Sequence, residues 1–337
     1  MWKIDPFNYQ RRPSIEVRIG QLLMGGAQPV RIQSMTNTDT NDIEASLQQC
    51  IRLIHAGAEL VRFTTQGNKE AESLKKIHDL LREKGYQTPL SADVHFNANV
   101  ADVVAQYVEK VRINPGNYLG NNRGNISSND SDEEYAAEYE RIKQRFVELL
   151  NICKKHQTAL RIGVNHGSLS ERIMNRYGDT AEGMVESCME FLRICQEENF
   201  QNVVISMKAS NTLTMIHSVR MLVDRMEIEN FHYPLHLGVT EAGNEDEGRI
   251  KSAVGIGTLL SEGIGDTIRV SLSEDPEAEI PVARKLISYI DEKKIHEPIL
   301  AEKNQKHSPF EYRRRTTHAV ENIGGNNVPI VIAATKT

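Results

Sequence analysis

Five basic residues lie inside short apolar runs, four with a small polar residue two positions on and Arg161 with Asn165 four on. The runs are Val61-Arg62-Phe63-Thr64, Val111-Arg112-Ile113-Asn114, Arg161-Ile162-Gly163-Val164-Asn165, Ser206-Met207-Lys208-Ala209-Ser210 and Ile268-Arg269-Val270-Ser271. In an extended strand, residues i and i+2 share a face. Each run therefore turns apolar side chains one way and a cation with a hydroxyl or amide the other. Burying an unpaired charge is costly, so convergent cations need a counter-charge. The same strands offer two obvious acids, Asp93 and Glu241. The excess of cations points to an anionic ligand. Guanidinium forks match phosphate oxygens in pairs and an ammonium acts as a point charge. Asn114, Asn165, Ser206 and Ser271 add neutral donors, so a diphosphate can be held from several sides.

Such residues meet only if the runs lie side by side. Strand-like runs are expected at Pro29–Met35, Leu60–Thr65, Pro89–Val94, Lys110–Pro115, Ala159–Asn165, Asn202–Ala209, Pro234–Thr240 and Asp266–Ser273. Between and after them lie amphipathic stretches at Asp42–Ala56, Asn68–Lys84, Asn97–Val108, Glu133–His156, Thr180–Glu198, Leu213–Glu227, Glu247–Glu262 and Glu277–Lys293. Gly57, Gly85, Gly263 and Gly265 sit just past helical runs as stop signals. Strict alternation implies a parallel sheet. Eight units over roughly 265 residues fit the α/β class and a (β/α)8 TIM barrel, which needs about 250. An open doubly wound sheet is the alternative; it calls for a Gly-rich fingerprint after the first strand, and none is there. Barrel chemistry sits at the C-terminal strand ends. The motifs fall there, with Asp93-Val94-His95 closing the third strand and His236–Gly243 the seventh.

Residues 1–28 read as an N-terminal hairpin, Ser14–Ile19 and Gln21–Met24 around Gly20, closing the barrel bottom. Residues 29–298 are the barrel. Residues 299–337 change composition, ending in an apolar strand at Val328–Ala334, as if a new domain begins. Gly116–Ser131 reads as a long mobile loop on the mouth face. The net charge of −6 gives no basic field for nucleic acid. The absence of a long apolar run or signal-peptide core argues against a membrane span or export, and for the cytoplasm. Cys50, Cys153, Cys188 and Cys195 form no CxxC pair and read as buried thiols, so no metal site is expected in this chain. Blander readings stand beside these. The inward cations could be structural ion pairs, and His95 and His236 core histidines or, with an acid, metal ligands. Gly255-Ile256-Gly257 suits close packing, and Arg313-Arg314-Arg315 a solvated patch.

Taken together, Gln33–Thr38, Ala92–Phe96, Arg112–Asn117, Arg161–Ser168, His236–Gly243 and Ser261–Leu272 resemble the 4-hydroxy-3-methylbut-2-enyl diphosphate synthases, in order from about Val17 to Lys293. The resemblance implies an oxidoreductase of non-mevalonate isoprenoid biosynthesis, reductively opening and dehydrating 2-C-methyl-D-erythritol 2,4-cyclodiphosphate. It implies substrate binding by Arg62, Arg112, Asn114, Arg161, Asn165, Ser206, Lys208, His236, Arg269 and Ser271. Asp93, His95 and Glu241 match polar mouth positions with catalytic potential. The family reduces its substrate at a 4Fe–4S cluster held by three cysteines and a glutamate of a C-terminal domain, with ferredoxin or flavodoxin as electron donor. No such cysteine set follows the barrel here. The chain resembles the barrel and the opening of the insert of three-domain members, and alone is expected to be inactive. Two other classes remain: a Schiff-base aldolase-type barrel using Lys208, and a non-catalytic anion-binding barrel.

Overall fold

The computed structural model describes residues 2, 4–5, 7–95, 97–119, 131–293, 295–300 and 314–333. They belong to two compact units, Met1–Ile299 and Leu300–Thr337. Phe96, most of the expected mouth loop (120–130), Arg313 and Ala334 lie outside the described residues.

The first unit opens with an antiparallel hairpin, β1 (Val17–Ile19) and β2 (Leu22–Met24), turning at Gly20 with φ +58°. Val17, Ile19 and Met24 pack on Leu60, Ala159 and Val204, which begin or precede the polar stretches of three barrel strands. The hairpin is thus an apolar plug under the barrel. The parallel strands that follow are β3 (Arg31–Met35), β4 (Leu60–Thr65), β5 (Leu90–Val94), β6 (Lys110–Ile113), β7 (Ala159–Asn165), β8 (Val203–Lys208), β9 (His236–Leu237) and β10 (Thr267–Ile268). They lie side by side in chain order, and β10 pairs back onto β3. A single parallel bridge, Ile205 to Leu235, spans β8 and the approach to β9, so the barrel is nearly closed.

The outer helices are α1 (Ile43–Ala56), α2 (Asn68–Glu83), α3 (Ala98–Val104), α4 (Asp132–His156), α5 (Glu171–Tyr177), α6 (Ala181–Glu197), α7 (Thr212–Ile228), α8 (Glu245–Ser252), α9 (Thr258–Ser261) and α10 (Glu279–Glu292). Side-chain caps start many of them, satisfying otherwise unpaired N–H groups. Asp42 accepts from Ala45 N at 3.0 Å, Asn211 from Thr214 N at 3.0 Å, and Ser131 forms a capping box with Glu134. Between α8 and α9 a π turn, Ala253–Gly257, brings the backbone against the segment after β9. A Cβ on Gly255 would lie 2.5 Å from Val239 Cγ2, so this glycine serves close packing.

The structure differs from the sequence reading in three places. The seventh and eighth strands shrink to two residues each, and at Gly238, just past the seventh, the chain runs close to the lumen. A Cβ there would lie 2.9 Å from Lys208 Nζ. Helix α5 is unanticipated; it is short and anchored by polar groups, with Arg172 of α5 paired to Glu190 of α6 at 2.5 Å. The described part of the expected terminal strand, 328–333, forms no ladder. All four cysteines are buried and free, on α1, α4 and α6. Burial pushes the Cys50 and Cys153 thiols up to about 12. No helix among the described residues is long and apolar enough to cross a membrane.

Candidate functional site

The alternation of β4 to β8 delivers Arg62, Asp93, Arg112, Arg161 and Lys208 to the barrel interior, each no more than 7% exposed. Asp93 is their hub. Its Oδ1 lies 3.2 Å from Arg112 Nη1 and 3.8 Å from Arg161 Nη2; its Oδ2 lies 3.4 Å from Arg62 Nε and 3.9 Å from His95 Nε2. Burial pushes the Asp93 carboxyl up, but Arg62, Arg112, Arg161 and His95 overcome it and hold the group well below the usual carboxylate range. His95, half-buried, is driven down by burial and by Arg112 and Arg62, against Asp93.

The second acid is Glu279, not Glu241. Glu241 is exposed, on the loop after β9 with φ +52°, and lies outside the buried cluster. Glu279 opens α10, is 1% exposed, and reaches in from outside the strands. Its carboxylate accepts from Arg269 Nη2 at 2.9 Å and Nε at 3.1 Å, from Ser34 Oγ at 2.8 Å and from Leu272 N at 3.3 Å. Sequence reasoning also missed Lys110, two residues before Arg112 and on the same face of β6. Its Nζ is fully buried, 3.4 Å from Gln33 Oε1, while Gln33 Nε2 donates to Thr267 Oγ1 at 2.9 Å. The lumen thus gathers Arg62, Lys110, Arg112, Arg161, Lys208 and Arg269 against Asp93 and Glu279.

The crowding is visible in the titration of the cations. Burial, with Arg269 and Arg112 nearby, pushes Arg62 down to about 10 despite Asp93 and Glu279. Burial and then Arg62, Arg161 and Arg269 push Lys208 well below its ordinary value; burial, Arg161 and Arg62 do the same to Lys110. His236 is fully buried, and burial, Lys208, Arg161, Lys110 and Arg62 keep it neutral. Arg161 Nη1 lies 2.9 Å from His236 Nδ1. Arginine can only donate, so Nδ1 accepts and the imidazole proton sits on Nε2. Among the described residues that Nε2 is buried without a hydrogen-bond partner, so its N–H can donate to a bound acceptor.

The remaining sequence candidates divide. Asn114 is engaged in the rim: its Nδ2 donates to Ser168 Oγ at 2.9 Å and Asn117 Oδ1 at 3.2 Å, and its Oδ1 accepts from Gly116 N at 3.2 Å. It ties the loops after β6 and β7 together. Asn165, with its amide turned so that both ends are satisfied, accepts from Arg112 Nη2 at 3.3 Å. Ser206 is buried beside Gly163, and Ser271 is half-buried after β10.

Gly163 sets the position of Arg112, whose Nη2 donates to the Gly163 carbonyl at 2.9 Å. A Cβ there would lie 2.6 Å from Arg112 Nε. Gly163→Ala is therefore expected to displace the guanidinium and weaken binding of inorganic pyrophosphate by about 1.5–3 kcal/mol, the scale of a charge-assisted hydrogen bond. Titration calorimetry on a variant shown to be folded by circular dichroism checks this; unchanged affinity would show that Arg112 does not meet the anion.

Residues 14–284 match the family model of the GcpE TIM-barrel domain. The chain is 62% identical over 327 residues to the 4-hydroxy-3-methylbut-2-en-1-yl diphosphate synthase (flavodoxin) of Parabacteroides distasonis, covering 97% of this chain and 54% of that protein. It is 61% identical to the protein of the same name from Phocaeicola vulgatus, covering 98% and 54%. The chain spans about half the length of the curated relatives it matches. Among solved structures, dihydropteroate synthase from Burkholderia cenocepacia is similar with a TM-score of 0.54 at 11% identity, covering 83% of this chain and 96% of that one. The Stenotrophomonas maltophilia dihydropteroate synthase is similar with a TM-score of 0.53 at 10% identity, covering 84% and 99%. Those two likenesses speak for the barrel fold alone.

Proposed function

The chain belongs to the GcpE TIM-barrel family, and from that premise we propose that it is the substrate-binding barrel of a 4-hydroxy-3-methylbut-2-enyl diphosphate synthase. The reaction takes 2-C-methyl-D-erythritol 2,4-cyclodiphosphate, two electrons and two protons to the allylic diphosphate and water. The observation that carries the reading is the basic excess of the lumen, four arginines and two protonatable lysines facing Asp93 and Glu279. A ligand with two phosphoryl groups fits that excess, and no divalent ion is needed to neutralise it.

In this reading the barrel contributes positioning and electrostatics. Arg62, Arg112, Arg161, Lys208 and Arg269 neutralise the diphosphate, and His236 offers Nε2–H to one of its oxygens. Ser206 is a neutral donor buried within the barrel, Asn165 and Ser271 are neutral donors nearer the rim, and Asn114 holds that rim in shape. His95 stands half-buried beside Asp93, and Glu241 lies outside the buried cluster on the exposed loop after β9. We assign the electron donor as flavodoxin, the donor in the printed names of the relatives.

The described residues do not fit an iron–sulfur cluster. The four thiols are buried on three outer helices, two of them on α6, and burial raises their pKa, whereas a cluster needs convergent thiolates. No group of His, Cys, Asp and Glu suited to a metal occurs among the described residues. We therefore assign the reductive step to residues other than these.

The test is calorimetry with the cyclodiphosphate in the presence of chelator. Arg112→Ala and Arg161→Ala should each weaken binding by roughly 1.5–3 kcal/mol. Binding that requires a divalent ion, or that ignores both substitutions, would overturn the proposal. One observation favours a second reading: the lowered Lys208 amine suits imine formation. Borohydride trapping of a carbonyl substrate on Lys208 would distinguish it.

A further inference from the structure

At the end of β3 the thioether of Met35 stands between two guanidiniums. Arg62 directs its Nε and Nη2 edge at the sulfur, at 3.1 and 2.8 Å, and Arg269 Nη1 also points to it, at 3.6 Å. The geometry is unusual for what each partner could have. The Nε and Nη2 edge is the fork that grips two oxygens of a phosphate or carboxylate, and a thioether is a weak acceptor. Arg269 spends its own Nε and Nη2 edge on Glu279, which leaves Nη1 for whatever occupies the gap.

We propose that Met35 is a placeholder: its sulfur occupies the position of an anionic ligand oxygen between Arg62 and Arg269, and the ligand displaces it on binding. The inference rests on the diphosphate reading of the mouth and adds to it a residue that sets access to one oxygen position. A neutral, flexible, unbranched side chain suits the task. It keeps both guanidiniums aimed at one point without supplying the negative charge that would compete strongly with the ligand. Met35 is half-buried in the mouth, so it has room to swing aside.

The proposal makes the acceptor strength at position 35 the controlling variable. Met35→Leu removes the weak competitor and should tighten pyrophosphate binding by about threefold, whereas Met35→Gln installs an amide oxygen in the gap and should weaken it at least roughly tenfold. A residue that merely supports packing would give losses in both. Peroxide offers the same test chemically: it transfers one oxygen atom to the sulfur, giving methionine sulfoxide and water. The sulfoxide oxygen is a strong acceptor, so treated wild-type protein should lose affinity as the glutamine variant does, and methionine sulfoxide reductase should restore it. Met174, 40% exposed on α5, is the internal control for oxidation elsewhere.

The experiment is pyrophosphate calorimetry on wild type, both variants and peroxide-treated wild type, with the 13C signal of the Met35 methyl followed in the same titration. A shift of that methyl on binding to wild type, with affinity changes of opposite sign in the two variants, is the expected result. Binding by wild type with a still methyl, or with Met35→Leu weakened like Met35→Gln, would overturn the placeholder alone. Failure of untreated wild type to bind either pyrophosphate or the cyclodiphosphate would overturn the diphosphate reading, and the placeholder with it.

Discussion

Replacing Asp93 with asparagine is expected to destabilise the protein by about 3–5 kcal/mol, the cost of leaving buried charges without their partner. The carboxylate is within ion-pairing distance of Arg62, Arg112 and Arg161, all 7% exposed or less. Asparagine keeps the shape and removes the charge, so three guanidiniums would face one another without it, Glu279 acting on Arg62 from farther off. For a protein of this size the loss corresponds to a fall in Tm on the order of 10 °C. Pyrophosphate should restore part of it, because an anion that binds only the folded state stabilises by mass action. The pH dependence has a definite sign. The folded-state pKa of Asp93 is depressed, so its stabilisation is complete above the unfolded value of about 3.9 and is lost as pH falls through the folded value. Wild type and variant should differ most at neutral pH and converge only in strong acid. Urea unfolding from pH 3 to 8 measures this; equal midpoints at pH 7 would mean that the arginines do not depend on Asp93.

How much of this site could be read from sequence depends on where each residue sits relative to a regular period. Arg62, Arg112, Arg161 and Lys208 lie within long strands, where two-residue spacing fixes the facing direction. Lys110 was legible by the same rule, two residues before Arg112, yet it begins its strand, where a lysine reads as a solvated end. Glu279 carries a different signal. It shares the buried stripe of α10 with Ile280, Ala283 and Ile290, so a charge on that stripe marks a partner in the core. The spacing rule failed for Glu241 because the ladder stops at Leu237. Beyond it the chain turns through Gly238 to an exposed loop, and a period that holds only in extended pairing no longer says where a side chain points. Helix α5 was illegible for a related reason: seven residues held by Arg172 and Glu190 have no apolar period to find.

Binding of the cyclodiphosphate is expected to take up protons, and its affinity to fall as pH rises. In the free protein Lys208 is held well below its ordinary value by burial and then by Arg62, Arg161 and Arg269, with Asp93 opposing. Lys110 is held down by burial, Arg161 and Arg62. An anion among these groups reverses the charge term and raises both amines, so between the free and bound values the complex holds more protons than its parts. His236 is lowered too, but protonating Nδ1 would break its bond from Arg161, so the lysines are the sites of uptake. The ligand itself is silent, since each phosphorus of a cyclic diphosphate carries one strongly acidic oxygen and no weakly acidic one. Where a full proton is taken up, affinity should fall about tenfold per pH unit. Calorimetry in buffers of different ionisation enthalpy counts the protons directly. Lys208→Arg keeps the charge and cannot deprotonate, so it should reduce the uptake while binding persists. The same shift gives the free protein the opposite linkage from a raised lysine: its folded state holds fewer protons than its unfolded state. Its stability should therefore rise with pH from the lowered values toward about 10.4, and bound anion should flatten that rise. Zero uptake at every pH from 6 to 9, with wild type and Lys208→Arg alike, would mean that the amines are already charged in the empty barrel and that something other than the ligand balances them.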